Sequence, residues 1–119
     1  MKRLFPFCML AMAAPATAQD GSAGATLFRQ RCQTCHTVNP AQKALLGPNL
    51  AGVVGRKAGT TDFRYSDAMK KVGVTWDAAT LDKYLSGPPK VVPGGKMTVS
   101  VPDPKQRADI IAFLKQAGK

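Results

Sequence analysis

Two cysteines and a histidine stand close together in the run Cys32-Gln33-Thr34-Cys35-His36. Thiols at this spacing can each add to a vinyl group of a haem, and the histidine that follows can bind the iron on one face. A C-x-x-C pair without the histidine is far less specific, because redox dithiols and zinc half-sites share it. The run therefore predicts one covalently attached haem c, with Cys32 and Cys35 as anchors and His36 as an axial iron ligand.

The first eighteen residues have the pattern of an export signal. Lys2 and Arg3 precede an apolar run over residues 4–14, and Ala16-Thr17-Ala18 supplies the small residues of a cleavage site. The apolar run is too short for a membrane-spanning helix, which takes about 20 residues. Cleavage would remove Cys8 and leave residues 19–119, which we expect to form a single domain with Cys32 and Cys35 as its remaining thiols.

The sixth iron ligand can be narrowed by elimination. His36 is the sole histidine of the chain, so a second histidine ligand is excluded, and Met69 and Met97 are the sulfur ligands left after cleavage. Met69 lies in a helical stretch where core packing is its simplest role. Met97 ends a Pro-Gly-Gly loop that can fold back across the other haem face. The residues favour Met97, with an ordinary apolar anchor for the loop as the alternative.

Helical patterns and breakers alternate along the mature chain. An amphipathic helix is predicted from Gly21 to about Cys35, and proline and glycine punctuate residues 37–64 as in a long loop. Ser66 can cap a short helix and Thr75 a second one that ends before Gly87-Pro88-Pro89. A last helix begins at Asp103-Pro104. No alternating strand pattern competes, so the sequence predicts an all-α fold with long loops.

The charge balance suggests acidic partners. The net charge is +10, and removing the positive charges of Lys2 and Arg3 leaves +8. Such a balance favours acidic proteins through long-range attraction. Nucleic acid is the other usual partner of a basic domain, but the basic residues are dispersed and the chain carries an export signal. We therefore expect no nucleic-acid binding. We also expect no membrane insertion, and a monomer because the sequence has no obvious apolar interface.

These motifs resemble those of the class I c-type cytochromes, the mitochondrial-like and bacterial soluble cytochromes c. The resemblance covers Gly24 to Lys119. Besides the haem motif, Gly24 and Phe28 match N-terminal helix positions that cross the C-terminal helix, and the run 47–50 (Gly-Pro-Asn-Leu) matches the family loop beside the ligand histidine. The resemblance implies a cytochrome c fold in which two shorter helices and long loops wrap around one covalent haem.

The resemblance also implies roles for individual side chains. The Pro48 carbonyl is expected to accept a hydrogen bond from the ring N–H of His36, which fixes the tautomer. Tyr65 and Trp76 match donors to a haem propionate, and Arg56 matches their basic neighbour. Tyr84 matches the tyrosine that reaches toward the methionine sulfur. The alternative for Trp76 and Tyr84 is simple core packing.

Three positions depart from the family pattern. Gly95 stands where threonine is common, Met69 where asparagine is common, and Val99 where an aromatic residue often covers the haem edge. We expect a weaker buried polar network and a somewhat mobile Met97 loop.

The sequence thus predicts a periplasmic one-electron carrier and not an enzyme, because six-coordinate iron leaves no open position for a substrate. Expected partners are acidic donor and acceptor proteins of the quinol–cytochrome c reductase, oxidase or reaction-centre type, which Arg31, Lys90 and Lys96 would orient. A haem peroxidase, a gas-binding protein or a subunit of a larger redox complex are the alternatives. A dithiol oxidoreductase lacks its βαβ pattern here, and the cysteines and His36 are one ligand short of a closed zinc site.

Overall fold

The computed structural model describes residues 21–118. They form four α-helices and one short 3₁₀ helix, which are α1 (Gly21–Arg31), α2 (Asp67–Lys71), α3 (Ala78–Ser86), the 3₁₀ helix Pro88–Lys90 and α4 (Pro104–Gln116). Apart from one isolated β-bridge, these residues contain no strand. The predicted all-α fold with long loops is confirmed. The predicted export signal lies outside the described residues, and within them no helix combines the length and apolarity needed to cross a membrane.

Side-chain caps set the starts of the last three α-helices. Ser66 accepts a hydrogen bond from the backbone N–H of Met69 at 3.1 Å, and Asp103 caps α4 just before Pro104. The Ser66 cap was predicted, and so was the start of the last helix at Asp103-Pro104. The prediction that Thr75 caps α3 was wrong. Asp77 is the cap, and its carboxylate accepts from the backbone N–H of Thr80 at 2.8 Å, whereas Thr75 is paired with Lys57 in the isolated bridge before the helix.

The first helix is shorter than predicted. The amphipathic pattern suggested a helix to about Cys35, but α1 ends at Arg31. The carbonyl of Phe28 accepts from both Cys32 and Gln33, at 2.8 and 2.9 Å, and closes the helix. The carbonyl of Cys32 then accepts from the backbone N–H of Cys35 at 3.1 Å. The segment between the cysteines is therefore a separate turn.

Helices α1 and α4 pack against each other at a glycine. A Cβ atom on Gly24 would lie 2.0 Å from the carbonyl oxygen of Asp109 and 2.6 Å from the Cβ of Phe113, so only glycine permits this approach. One turn later the rings of Phe28 and Phe113 meet at 5.2 Å between centroids. The predicted contact of Gly24 and Phe28 with the C-terminal helix is confirmed.

The isolated bridge places two predicted site residues side by side. Lys57 pairs with Thr75 in antiparallel fashion. The backbone N–H of Trp76 donates to Arg56 O at 2.9 Å, and that of Gly55 donates to Trp76 O at 2.8 Å. The long loop after His36 and the segment before α3 are thus joined, which brings Arg56 next to Trp76.

Candidate functional site

A cavity of about 320 Å³ lies between the helices and the two long loops. Its walls are largely apolar and include Phe28, Leu81, Leu85, Ile110 and Leu114. Every residue predicted for the site lines it: Cys32, Cys35, His36, Pro48, Arg56, Tyr65, Trp76, Tyr84 and Met97. These residues come from seven separate places between residues 32 and 97 of the chain, so their convergence is a property of the fold.

The imidazole of His36 is held in one orientation by a backbone carbonyl. Its Nδ1 lies 2.8 Å from the carbonyl oxygen of Pro48. A carbonyl only accepts, so Nδ1 carries the proton and Nε2 keeps its lone pair free for a metal. Burial lowers the pKa of His36, and the Pro48 carbonyl opposes this by stabilising the N–H. Both the tautomer and the charge state therefore suit a neutral metal ligand.

Gly47 provides the room that this ring needs. A Cβ atom there would lie 2.4 Å from Cε1 of His36, well inside van der Waals contact. The backbone N–H of Gly47 also donates to Cys35 O at 2.8 Å, which ties the Pro48 segment to the cysteine turn. This steric role was not predicted from the sequence. The glycine before Pro48 was a visible signal, but the approaching ring was not.

The two cysteines are available for covalent chemistry. Both are free thiols and partly buried at the cavity wall. Burial raises the pKa of Cys32, and the charge of Arg31 partly offsets that rise. Their shared turn is closed by hydrogen bonds from Cys35 and His36 to Cys32 O, at 3.1 and 2.9 Å. Both thiols and the imidazole thus line one wall.

The Met97 segment is held much more loosely. Gly94 adopts a left-handed backbone with φ of 80°, and the N–H of Gly95 donates to Val92 O at 3.1 Å. Within residues 21–118, none of the backbone N–H groups of residues 96–100 donates a hydrogen bond to the protein. The next one to do so is that of Val101, to Leu85 O at 2.7 Å. Met97 is therefore positioned mainly by packing of its partly buried side chain.

Met69, the other candidate sulfur ligand, also lines the cavity. It lies on α2, whose start is capped by Ser66, and its carbonyl oxygen would lie 3.0 Å from a Cβ on Gly59. Its backbone is therefore tightly placed. Lining the cavity does not by itself distinguish the two methionines, and the preference for Met97 stays a prediction.

A basic side chain and a hydroxyl face the cavity near the bridge. Arg56 donates to the carbonyl oxygens of Ala51 at 3.0 Å and Asn49 at 3.1 Å. Burial lowers the pKa of Arg56, yet no carboxylate within residues 21–118 forms an ion pair with it. The hydroxyl of Tyr65 is hydrogen-bonded to Thr61. A partly buried cation without a counter-ion suits an anionic group inside the cavity.

Two aromatic residues present polar atoms to the same space. The rings of Trp76 and Tyr84 lie 4.8 Å apart, and both side chains are buried. Among the described residues, neither the indole N–H nor the Tyr84 hydroxyl has a hydrogen-bond partner. Burial raises the pKa of Tyr84 to about 12. Buried Trp and Tyr normally satisfy these atoms, so they too fit a ligand that brings acceptors.

Taken together, these groups fit a covalently attached haem. The thiols match its vinyl groups, the His36 Nε2 and a methionine sulfur match its iron, and the cation and donors match its carboxylates. The structure also bears on one departure from the family pattern. A Cβ on Gly95 would lie 3.1 Å from both Cγ1 and O of Val92, so a threonine there would crowd a buried side chain.

Comparison with known proteins agrees with this fit. The cytochrome c family model matches residues 21–118. A cytochrome c2 from Rhodomicrobium vannielii is 54% identical over 82% of this chain and 78% of its own length. A cytochrome c from Theileria parva is 44% identical over 82% of this chain and 86% of its own. A cytochrome c2 from Blastochloris viridis is 41% identical over 92% of this chain and 87% of its own length. The chain therefore belongs to the cytochrome c family of electron-transfer proteins, which carry one covalent haem c and are not enzymes.

Proposed function

We propose that this protein is an exported, periplasmic carrier that shuttles single electrons between acidic donor and acceptor proteins. One observation carries the proposal. The neutral His36 imidazole, held by Pro48, lines the same cavity as Met97. If His36 and Met97 held the iron together, the haem would supply one-electron transfer, which suits this function.

The chain's own residues would prepare the cofactor site. Cys32 and Cys35 would form thioether bonds, and His36 and Met97 would bind the iron, which supplies reversible one-electron oxidation and reduction. The Pro48 carbonyl would keep the His36 proton on Nδ1, so that Nε2 could hold the iron. The apolar walls would keep water away from the haem, which would disfavour its more highly charged oxidised state.

The remaining predicted residues would hold the edges of the haem. Arg56, Tyr65 and Trp76 would neutralise or donate to a propionate, and Tyr84 would donate its hydroxyl proton toward the Met97 sulfur. Two observations on residues 21–118 support these assignments. Arg56 has no ion-pair partner there, and the indole N–H of Trp76 and the hydroxyl of Tyr84 have no hydrogen-bond partner there. A haem carboxylate would give Arg56 an anionic partner and would give the Trp76 indole N–H an acceptor.

Residues 1–18 would direct export, and exposed basic residues would attract partners. The pattern of residues 1–18 supports cleavage and delivery of residues 19–119 to the periplasm as one monomeric domain. Arg31, Lys90 and Lys96 are exposed and would attract acidic partners. The partners would be of the quinol–cytochrome c reductase, oxidase or reaction-centre type. The intact mass of periplasmic protein tests export, since it should lack residues 1–18 and include one haem.

Absorption spectroscopy of the haem-loaded protein tests the ligand assignment. We expect low-spin spectra, an iron–sulfur charge-transfer band in the oxidised form and a pyridine haemochrome typical of two thioether bonds. Met97→Ala should abolish the band and let the ferrous protein bind carbon monoxide. Met69→Leu is the matched control and should keep the band. Loss of the band in Met69→Leu, with its retention in Met97→Ala, would reverse the assignment.

A further inference from the structure

We propose that Arg107 is a positioning residue for Met97, which it steadies by holding the backbone at the downstream end of the Met97 segment. The inference rests on the proposed function, because it takes Met97 as an iron ligand. Arg107 lies on α4 and is not among the residues that line the cavity. Its influence on Met97 would therefore pass through the chain and not through contact with the haem.

The Met97 segment is a span that is fixed at its two ends. At the upstream end, the N–H of Gly95 donates to Val92 O at 3.1 Å. Within residues 21–118, the backbone N–H groups of residues 96–100 donate no hydrogen bond. At the downstream end, the N–H of Val101 donates to a carbonyl oxygen of α3 at 2.7 Å. The groups that hold Val101 therefore limit how far Met97 can move.

The guanidinium of Arg107 holds this downstream end from the other side. Its Nη1 donates to the carbonyl oxygens of Val101 at 2.9 Å and Pro102 at 2.8 Å. Its Nε donates to the carboxylate of Asp82 on α3 at 2.7 Å. No other group in the part of the chain that the structure describes donates to the Val101 carbonyl. One side chain thus ties the end of the span to both α3 and α4.

Burial indicates which of these contacts matters most. The Arg107 side chain is 11% exposed and Val101 is 1% exposed. A hydrogen bond from a charged donor is about twice as strong as a neutral one, and a buried carbonyl that loses its donor keeps the cost of its desolvation. The Asp82 side chain is 50% exposed, so its ion pair should contribute little. The two carbonyl contacts are therefore the part that should steady Met97.

The arrangement calls for an arginine. The N–H groups of a guanidinium form a rigid planar fork, so Nε and Nη1 of Arg107 can donate to different acceptors at once. A lysine has a single nitrogen on a flexible chain. It could place a positive charge near Asp82, but it could not also hold both carbonyls in a fixed geometry.

A general structural role is the alternative. Arg107 would then simply join α3 to α4, and its loss would lower the stability of the whole fold without a particular effect on Met97. Positioning instead predicts that Met97 leaves the iron more often while the rest of the fold stays intact. The two roles therefore differ in how often the Met97 segment opens.

Cyanide binding to the ferric, haem-loaded protein at neutral pH separates the two roles. Cyanide can bind the iron only in molecules whose Met97 has left it, so its second-order rate constant follows the open fraction. We expect Arg107→Gln to raise this rate constant about tenfold while the iron–sulfur band persists, because local opening becomes easier. Arg107→Lys should behave much like Arg107→Gln. Asp82→Asn should stay within about twofold of wild type.

Lys105→Gln is the matched control. It removes the same charge from the same helix and breaks the ion pair of Lys105 with Asp109 at 2.9 Å. That pair lies within α4 and does not hold the span. Because the Asp109 side chain is only 6% exposed, the control should lose stability in a urea titration. It should nevertheless bind cyanide at the wild-type rate.

The result that would overturn the proposal is an unchanged cyanide rate constant in Arg107→Gln, or an increase that Lys105→Gln reproduces. An equally large increase in Asp82→Asn would assign the effect to the ion pair with α3 and contradict the role of the carbonyl contacts. Absence of the iron–sulfur band in the wild-type protein would instead overturn Met97 as a ligand, which belongs to the proposed function. If Arg107→Gln fails to fold, Arg107→Lys is compared with the same control.

Discussion

The two walls of the cavity that carry the proposed axial ligands are built by different means. On the His36 wall, the imidazole, the Gly47 N–H and the turn after Cys32 are all joined by hydrogen bonds of 2.8–3.1 Å. On the Met97 wall, residues 96–100 donate no backbone hydrogen bond within the described chain. The first wall has its geometry set by directional bonds, and the second by packing of Met97 and its neighbours.

This contrast indicates where the site should be stiff and where it should open. A ligand fixed by a neighbouring carbonyl keeps its orientation in both oxidation states. A segment with few backbone hydrogen bonds opens locally at a free energy far below that of global unfolding. We therefore expect His36 to stay bound under conditions that release Met97. If the iron–sulfur band persisted into strongly alkaline solution, the expectation of a loose Met97 segment would be wrong.

The largest loss of stability is expected for Gly47→Ala, which disturbs the hydrogen-bonded His36 wall. The new Cβ would lie 2.4 Å from His36 Cε1, so the ring must move and its bond to Pro48 must lengthen. Overpacking and a lost buried hydrogen bond together should lower the free energy of unfolding by about 3 kcal/mol. A denaturant titration, with the haem absorbance as its signal, measures this loss of stability.

Gly52→Ala is the matched control for that substitution. Gly52 has a left-handed φ of 67°, but a Cβ added there would have no atom within 4 Å. The substitution should therefore cost only the backbone penalty of about 1 kcal/mol. Equal losses in the two variants would contradict the steric role of Gly47.

Hydrogen exchange compares the two walls directly. The amides of Gly47 and Leu50 are bonded at 2.8 Å to Cys35 O and Thr37 O, whereas those of residues 96–100 are not bonded within the described chain. We expect the latter to be at least about 100-fold less protected, which corresponds to a local opening that is cheaper by about 3 kcal/mol. Similar protection factors on both walls would mean that they open together.

Gly95→Thr tests whether packing sets the loose wall. Its Cβ would lie 3.1 Å from Val92, a side chain with 2% exposure, so the loss should be about 1–2 kcal/mol. Gly95→Ala introduces the same Cβ atom, so it should reproduce most of this loss of stability when thermal unfolding is measured. A threonine variant more stable than wild type would show that a new polar contact outweighs the crowding.

The smallest effect should come from Tyr84→Phe and should depend on pH. Burial raises the pKa of Tyr84 to about 12, above the value of about 10 for an unfolded chain. The folded protein holds this proton more tightly, so its contribution to stability is intact below about pH 10 and is lost as pH rises toward 12. Urea titrations at about pH 9 and 11 should show a smaller decline for Tyr84→Phe than for wild type. Equal declines would place the hydroxyl in solvent.

Local patterns were the parts of this molecule that sequence could predict. The Ser66 cap, the helix start at Asp103-Pro104 and the helix stop at Gly87 depend on residues that are neighbours in the chain, and the structure contains all three. The haem motif is equally local, and the structure folds it into one closed turn. The family resemblance added the residues that line the cavity. Their individual roles remain predictions.

The features that could not be predicted from the sequence depend on contacts between residues that are far apart in the chain. Asp77 caps α3 in place of Thr75 because Thr75 pairs with the distant Lys57, which keeps residues 75 and 76 out of the helix. The tight fit of Gly47 on His36 and of Gly95 on Val92 exists only after the chain has folded back on itself. The uneven hydrogen bonding of the two walls likewise emerges from the long loops, whose path no periodicity encodes.

The contact of α1 with α4 at Gly24 has a consequence for how the protein is made. These helices join the two ends of the described chain, and α4 follows every other cavity-lining segment in order of synthesis. The cavity therefore cannot close until the last helix has been delivered. Until α4 docks, the wall that Ile110 and Leu114 supply is missing, so the cavity lined by Cys32 and Cys35 stays open on that side.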